Sequence, residues 1–372
     1  MRIGIDYRPA WAHAPGVGRY ARELVRALAK LPAPPELALF ELGDPQREVD
    51  DDALGIAGSH AIAKRLRGPV PRRALHFLGR LGLGVDQLLG GVELFQQTSP
   101  VPLHVRRAKQ CTAVAELPPA GSTAANEYAA WLRSLDGVLV FSAHAAERLR
   151  VDCGVDADRI HFTPVGCEHW RRALAARPTA ERPAGSRPAR LVALGALRAS
   201  RRPLVLLEAV ERLRAGGFEV ELTHLGRAGD ASEAWQARRS ASPARDALRW
   251  IPAPQESELP GLVAEADVLV HLSSEALTPV TVLEACSLGP TVVADRLPAL
   301  EEALGGLGEW LEPGCDDPQI LADSIEAALR RAREPEERQQ REALAESFDW
   351  RACALATQLA WRRILSALRT DA

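Results

Sequence analysis

Short apolar runs alternate with amphipathic helical stretches from one end of the chain to the other. The run at 3–5 precedes a helical stretch at 20–28, which is followed by another apolar run at 37–40. This alternation is typical of open, mostly parallel α/β sheets, whose strands are separated by helices that cover the sheet. A chain of 372 residues is long for one hydrophobic core. The sequence therefore predicts an α/β fold with two domains.

A change of composition marks the boundary between these domains. From 171 to 187 the chain is rich in Ala, Arg and Pro and has little apolar periodicity, as linkers do. A second strand–helix series starts at 190–195. The predicted organisation is a first domain at 1–170, a linker at 171–188 and a second domain at 189–345. Open α/β sheets bind ligands at the carboxyl ends of their strands, so two facing sheets are expected to bind them in a cleft.

Composition and charge exclude several classes of protein. A net charge of −3 and an isoelectric point near 6.3 give no general attraction to nucleic acid. The six cysteines lack metal-type spacing and are expected to be reduced, mostly buried thiols of a cytoplasmic protein. The first predicted strand begins at Arg2, so no signal peptide is expected. No apolar run reaches the roughly 18 residues of a membrane span.

The segment at 63–77 is the most basic part of the chain. One interpretation is contact of residues 63–80 with an anionic membrane surface, which would place the protein peripherally at the inner membrane face. The other, which we favour, is a solvated helix-turn-helix surface that needs no partner.

The stretch at 274–293 carries the most information about a ligand. It predicts a loop that runs into a helix, followed by a Gly-Pro turn and a buried strand. Free backbone N–H groups at the start of such a helix favour an anion, and Glu284 inside it is placed to accept hydrogen bonds from sugar hydroxyls. A phosphate plus a diol describes a nucleotide or nucleotide-sugar. An ordinary amphipathic helix with a solvated glutamate explains the same residues.

Two further segments offer groups for a phosphorylated ligand. Gly16 and Gly18 precede a predicted helix and permit close backbone approach, but they do not form the G-x-G-x-x-G pattern of a dinucleotide site. Arg198, Arg201 and Arg202 follow a predicted strand, where guanidinium groups suit a diphosphate. The alternatives are a glycine turn without a ligand and a solvated basic turn.

The histidines do not cluster at metal-ligand spacing. His224 and His271 lie in predicted strands and are interpreted as core residues satisfied by hydrogen bonds rather than as ligands. With no D-x-D pair at a strand end, neither a metal nor a cofactor is expected.

Several of these segments, in this order, resemble the retaining nucleotide-sugar glycosyltransferases of the family-4 type. The resemblance implies the GT-B fold, in which two Rossmann-like domains face each other across a cleft and a C-terminal helix, here at 346–372, crosses back to the N-terminal domain. It also implies an N-terminal acceptor domain and a C-terminal donor domain. The matching segments lie at 4–6, 16–20, 141–142, 155–160, 164–168, 195–201, 206–209, 266–270, 282–285 and 289–293.

The resemblance assigns roles to residues of the second half and shows departures there. Glu284 occupies the second position of a glutamate pair, which contacts the donor's ribose, while the first position is Ala276 and Glu275 lies one residue early. The basic pair of the family falls on Ala196 and Arg201. The resemblance therefore implies catalytic roles for Glu275 and Arg201.

Further implied donor-binding residues are Arg198, Arg202 and Thr278. On the acceptor or sugar side, a frequent histidine is replaced by Gln96, and a histidine-acid pair by Ala115 with Glu116.

The leading hypothesis is transfer of a hexose from a nucleoside diphosphate sugar to a glycan, a lipid-linked acceptor or a small molecule. A catalytically degenerate relative that binds a sugar nucleotide or a partner without transfer is the alternative, because several polar positions are altered. A sugar-nucleotide epimerase of related architecture ranks last, because the acids and histidines it needs are not identifiable.

Overall fold

The computed structural model describes residues 1–11, 16–43, 55–70, 82–99, 102–175, 187–332 and 334–367. The chain divides into two compact units. Unit 1 comprises Met1–Gly166 and Asp349–Ala372, and unit 2 comprises Cys167–Phe348.

The described part of unit 1 is built around a parallel sheet of seven strands. Their order is β3-β2-β1-β4-β5-β6-β7, so the strand order reverses direction between β1 and β4. The strands are β1 (Arg2–Asp6), β2 (Glu36–Gly43), β3 (Ile62–Pro69), β4 (Leu94–Gln97), β5 (Lys109–Ala113), β6 (Gly137–Val140) and β7 (Ile160–Phe162). The helices are α1 (Arg8–Trp11), α2 (Val17–Ala29), α3 (Val85–Leu88), α4 (Thr123–Ser134), α5 (Ala143–Asp152) and, from the C-terminal segment, α14 (Trp350–Ser366).

Helix α14 joins unit 1 through both its packing and its hydrogen bonds. It packs on α2 and β6. Asp349 caps its start by accepting from the backbone N–H of Ala352, and Trp361 in its fourth turn is fully buried. The return of the C-terminal helix to the N-terminal domain is thereby confirmed.

The described part of unit 2 is built around a parallel sheet of six strands in the order β10-β9-β8-β11-β12-β13. These strands are β8 (Ala189–Leu194), β9 (Val220–Leu225), β10 (Leu248–Ile251), β11 (Val268–His271), β12 (Thr291–Asp295) and β13 (Gly308–Leu311). The helices are α6 (His169–Ala175), α7 (Pro203–Ala215), α8 (Ser232–Ser240), α9 (Leu259–Ala264), α10 (Val280–Cys286), α11 (Pro298–Leu304), α12 (Pro318–Arg331) and α13 (Pro335–Glu346).

Both sheets thus confirm the predicted α/β class with two Rossmann-like units. One core cluster of unit 2 joins Val268, Val270 and Leu272 to buried residues of α7 and α12. Because side chains alternate along a strand, these three residues share one face of the sheet and His271 points to the other.

Two segments differ from their sequence-based interpretation. Helix α6 extends into the predicted linker at 171–188, of which 176–186 lie outside the described residues. The helix-turn-helix interpretation of 63–77 is wrong where the structure describes it, because 62–69 form strand β3 beside β2. None of the helices within the described ranges is long and apolar enough to cross a membrane.

Candidate functional site

The carboxyl ends of β8 and β11 form the topological switch point of unit 2. These two strands are neighbours in the sheet, while the chain proceeds from them in opposite directions across it. Loops that leave such a pair diverge and open a crevice at the sheet edge, which is where open α/β sheets bind ligands. The candidate site is therefore built from the residues that follow these strands.

Arg201 lies against the end of β8 because Gly195 has no side chain. Gly195 has a φ of +118°, and a Cβ at this position would lie 2.9 Å from Cζ of Arg201. The guanidinium donates from Nη1 to the carbonyl oxygen of Leu194 over 3.3 Å. A glycine at the strand end thus permits the arginine to lie across it.

Two buried histidines lie on the strands that flank β8, His224 on β9 and His271 on β11. Nε2 of His224 lies 2.8 Å from the carbonyl oxygen of Gly195 and donates to it. This confirms the interpretation of His224 as a hydrogen-bonded core residue. Burial lowers the pKa of His224 to about 4 against the opposing effect of this hydrogen bond, and the charge of Arg201 contributes to the lowering.

His271 differs from His224 in its hydrogen bonding. Its Nδ1 is buried and has no hydrogen-bond partner among the residues that the structure describes. Burial first, and the charge of Arg201 second, lower the pKa of His271 to about 3. His271 is therefore a neutral imidazole at neutral pH, and the interpretation as a satisfied core residue is wrong for it.

Arg202, a predicted donor-binding residue, has a structural partner in Asp295. Its Nη2 donates to both carboxylate oxygens of the fully buried Asp295, at 2.6 and 2.5 Å, and its Nη1 donates to the carbonyl oxygen of Cys315. Oδ2 of Asp295 also accepts from the backbone N–H of Ser273 over 2.7 Å. Asp295 thus ties the turn after β8 to the loop after β11.

The loop after β11 and the turn after β8 present the remaining predicted donor-side residues. Glu275 and Arg198 are exposed, and Thr278 is half-buried. The Thr278 hydroxyl accepts from the backbone N–H of Val280 over 3.4 Å. The following helix, α10, is only seven residues long.

Glu284 on α10 is fully buried, unlike the solvated glutamate of the alternative interpretation. Its Oε1 lies 3.1 Å from Nε2 of His169 on α6, and the histidine is 6% exposed. The sequence gives no signal for this contact, because His169 lies in a different part of unit 2. In this conformation the carboxylate is enclosed by its own unit, so a ribose contact requires local rearrangement.

The predicted residues of unit 1 occupy different environments. Gly16 immediately precedes α2 with a φ of +69° and open space around its Cα, whereas Gly18 is buried inside the helix. Glu116 is exposed just beyond the carboxyl end of β5. Gly16 and Glu116 can face a ligand without displacing a core residue.

Gln96, predicted on the acceptor or sugar side, packs inside unit 1 in this structure. Its side chain is fully buried in β4. Its Oε1 accepts from Nε1 of Trp361 over 2.8 Å, and its Nε2 donates to the hydroxyl of Tyr20 over 3.3 Å. Both ends of the amide are thus used to hold α14 and α2 against the sheet.

Metal binding has no candidate site in the ranges that the structure describes, since no group of three or more His, Cys, Asp or Glu side chains is arranged to hold an ion.

Comparison with known proteins relates this architecture to sugar transfer. Residues 188–331 match the family described as glycosyl transferases group 1. No curated protein sequence matches the chain.

Solved structures match over nearly the full length at low identity. A sucrose-phosphate synthase from Thermosynechococcus elongatus is 16% identical, with a TM-score of 0.73 over 99% of this chain and 100% of that chain. Anabaena Alr3699/HepE in complex with UDP and glucose is 13% identical, with a TM-score of 0.69 over 97% and 99%. A glycosyltransferase from Rickettsia africae is 13% identical, with a TM-score of 0.68 over 100% and 99%. The chain therefore has the GT-B fold, with a match to glycosyl transferases group 1 across most of its second unit.

Proposed function

We propose that this protein transfers a hexose from a nucleoside diphosphate sugar to a hydroxyl group of a glycan, a lipid-linked acceptor or a small molecule, with retention of anomeric configuration. The observation that carries the proposal is the position of Arg201 at the switch point of unit 2, inside the segment that matches glycosyl transferases group 1. The structures of Anabaena Alr3699/HepE with UDP and with UDP-glucose support a donor of this class.

Arg201 would act on the leaving group. Transfer replaces the bond between the anomeric carbon and the diphosphate by a bond to the acceptor oxygen, so negative charge accumulates on the departing diphosphate. A guanidinium held at the strand end stabilises that charge without reorganisation during the reaction. Glu275 and Thr278 would contact the donor from the loop after β11, Arg198 would add charge, and no metal is required by this scheme.

Glu284 would contact the ribose only after its carboxylate has become accessible. The alanines at Ala115, Ala196 and Ala276, where the resemblance expects polar residues, favour a second candidate function, in which the protein binds a sugar nucleotide without transferring the sugar. Gly16 and Glu116 of unit 1 remain proposed contacts to donor phosphate or to the acceptor.

The test is a panel of UDP-, ADP- and GDP-sugars, with release of the nucleoside diphosphate and a shift of the melting temperature as readouts. Arg201→Gln is expected to lower the rate by about 100-fold or more, since it removes a charge that stabilises the transition state. Arg249→Gln, on the exposed side of β10, is the matched control and is expected to leave the rate unchanged.

The outcomes separate the two candidates. Binding of a sugar nucleotide without release of its diphosphate, across acceptors, would indicate the non-transferring function. If no member of the panel is consumed and none shifts the melting temperature, both candidates fail.

Membrane contact through 63–80 is a further proposal with less support. The side chains of Arg65 and Arg67 pair with the buried carboxylate of Glu41, which neutralises charge that an anionic surface would need. Residues 71–80 lie outside the described residues. Sedimentation with vesicles of anionic lipid tests the contact, and absence of binding at low salt would exclude it.

A further inference from the structure

His271 is one of several buried residues of unit 2 that have a side-chain nitrogen or oxygen without a hydrogen-bond partner in the described ranges, and it lies at the carboxyl end of a strand at the switch point. It is the last residue of β11, beside the end of β8, and is 8% exposed. Its Nδ1 is sealed from solvent, without a hydrogen-bond partner in the described part of the chain. Buried polar atoms are nearly always hydrogen-bonded, so an unpartnered one at a ligand-binding edge needs a reason.

The state of the ring follows from its surroundings. A proton on Nδ1 would be a buried donor without an acceptor, which is more costly than an unused acceptor. The neutral ring therefore carries its proton on Nε2, which is the ring nitrogen that a ligand can reach. That N–H is a hydrogen-bond donor without a positive charge, available at neutral pH because the pKa of His271 is low.

The position of Arg201 indicates which kind of ligand the Nε2–H group of His271 would contact. His224 shares the sheet face of the core cluster around Val220 and Leu222, whereas His271 points to the opposite face. Arg201 nevertheless lies at the level of His271: its guanidinium donates to the carbonyl oxygen of Leu194, and the register that pairs Leu191 with Val268 and Val192 with Leu269 places Leu194 level with His271. A group bound by Arg201 is an anion, and an anion there is within reach of an N–H from β11.

We propose that His271 is a phosphate-binding residue, whose neutral imidazole donates a hydrogen bond from Nε2 to a phosphate oxygen of the nucleoside diphosphate that Arg201 holds. The inference rests on the proposed function and adds a contact to it. A neutral N–H group beside one arginine contacts the diphosphate without adding a second buried charge to the site. The desolvation of a second charge would oppose binding.

The binding test uses UDP, ADP and GDP as probes, in calorimetric titrations of wild type, His271→Leu and His271→Asn. The best-bound nucleotide is expected to lose about 10-fold or more in affinity with His271→Leu, as for a hydrogen bond to a charged group. His271→Asn, which keeps an N–H donor, is expected to recover part of this loss. His161→Leu, a half-buried histidine of unit 1, is the matched control.

A second measurement separates a contact from a structural effect and does not depend on a stable variant. The imidazole ¹⁵N signal of His271 in wild type is expected to shift when the nucleoside diphosphate is added and to stay in place when the nucleoside alone is added. The assignment comes from the signal missing in either variant.

The inference fails if His271→Leu binds within about 2-fold of wild type at an unchanged melting temperature, or if the His271 signal does not move at saturating nucleotide. If Arg201→Gln abolishes binding while His271→Leu does not alter it, the inference fails and the proposed function stands. If wild type binds none of the three nucleotides, both fail.

Discussion

The contact between Gln96 and Trp361 makes a quantitative prediction about how the C-terminal helix is held. Both side chains are fully buried, and the indole N–H donates to the amide oxygen over 2.8 Å. Gln96→Leu removes the acceptor and leaves the indole N–H unsatisfied, at about 1–3 kcal/mol. It also removes the longer bond to Tyr20, worth about 0.5 kcal/mol. We expect the free energy of unfolding of unit 1 to fall by about 1.5–3.5 kcal/mol.

A double-mutant cycle isolates the contact from the packing. Trp361→Phe deletes the donor and leaves a small cavity, so it is expected to cost about 1–3 kcal/mol alone. In the double variant no unsatisfied N–H remains, so the loss should be about 1–2 kcal/mol smaller than the sum of the single losses.

The assay is denaturant unfolding followed by far-ultraviolet circular dichroism, with the transition of each unit fitted separately. Leu359→Ala, on the exposed side of the same helix, is the control and should change stability by less than about 0.5 kcal/mol. Additivity of Gln96→Leu and Trp361→Phe within about 0.5 kcal/mol would refute the reasoning.

Three further predictions concern unit 2. Asp295→Ala should lower the free energy of unfolding by about 3–5 kcal/mol in denaturant titrations, because it leaves Arg202 partly buried without its counter-charge. The free energy of unfolding of unit 2 should fall as pH falls from 6.5 towards 4, because His224 binds a proton in the unfolded state but not in the folded state over this range. His224→Gln should reduce this loss of stability by up to about 3 kcal/mol in denaturant titrations repeated across the pH range. Gly195→Ala should cost about 1–3 kcal/mol of stability and weaken nucleotide binding measured by calorimetry, since its Cβ would displace Arg201.

The strands of unit 2 were predictable because their apolar runs are local signals. The predicted run at 190–195 differs from β8 by one residue at each end. Strand β3 was not predictable in this way, because its side chains are mostly half-exposed and several are basic. What makes it a strand is pairing with β2 and the buried carboxylate of Glu41, which is contacted from a distant segment. Local sequence does not contain that information.

In the candidate site, too, some features follow from local sequence and others depend on distant contacts. The place of Arg201 follows from the order of strand, glycine and arginine along the chain. The environment of Gln96 depends on Trp361, 265 residues away, and that of Glu284 on a histidine in another helix. No sequence spacing indicates either of these two contacts. The sequence therefore identified Gln96 and Glu284 as candidate residues but did not predict that they are buried. The unpartnered nitrogen of His271 likewise becomes evident only when the sheet is assembled.

A crystal structure of the protein with a bound nucleoside diphosphate tests the central claim most directly. We predict density for the diphosphate at the carboxyl ends of β8 and β11, with a phosphate oxygen within about 3 Å of the Arg201 guanidinium. A nucleotide bound elsewhere, with no contact to Arg201, would contradict the account.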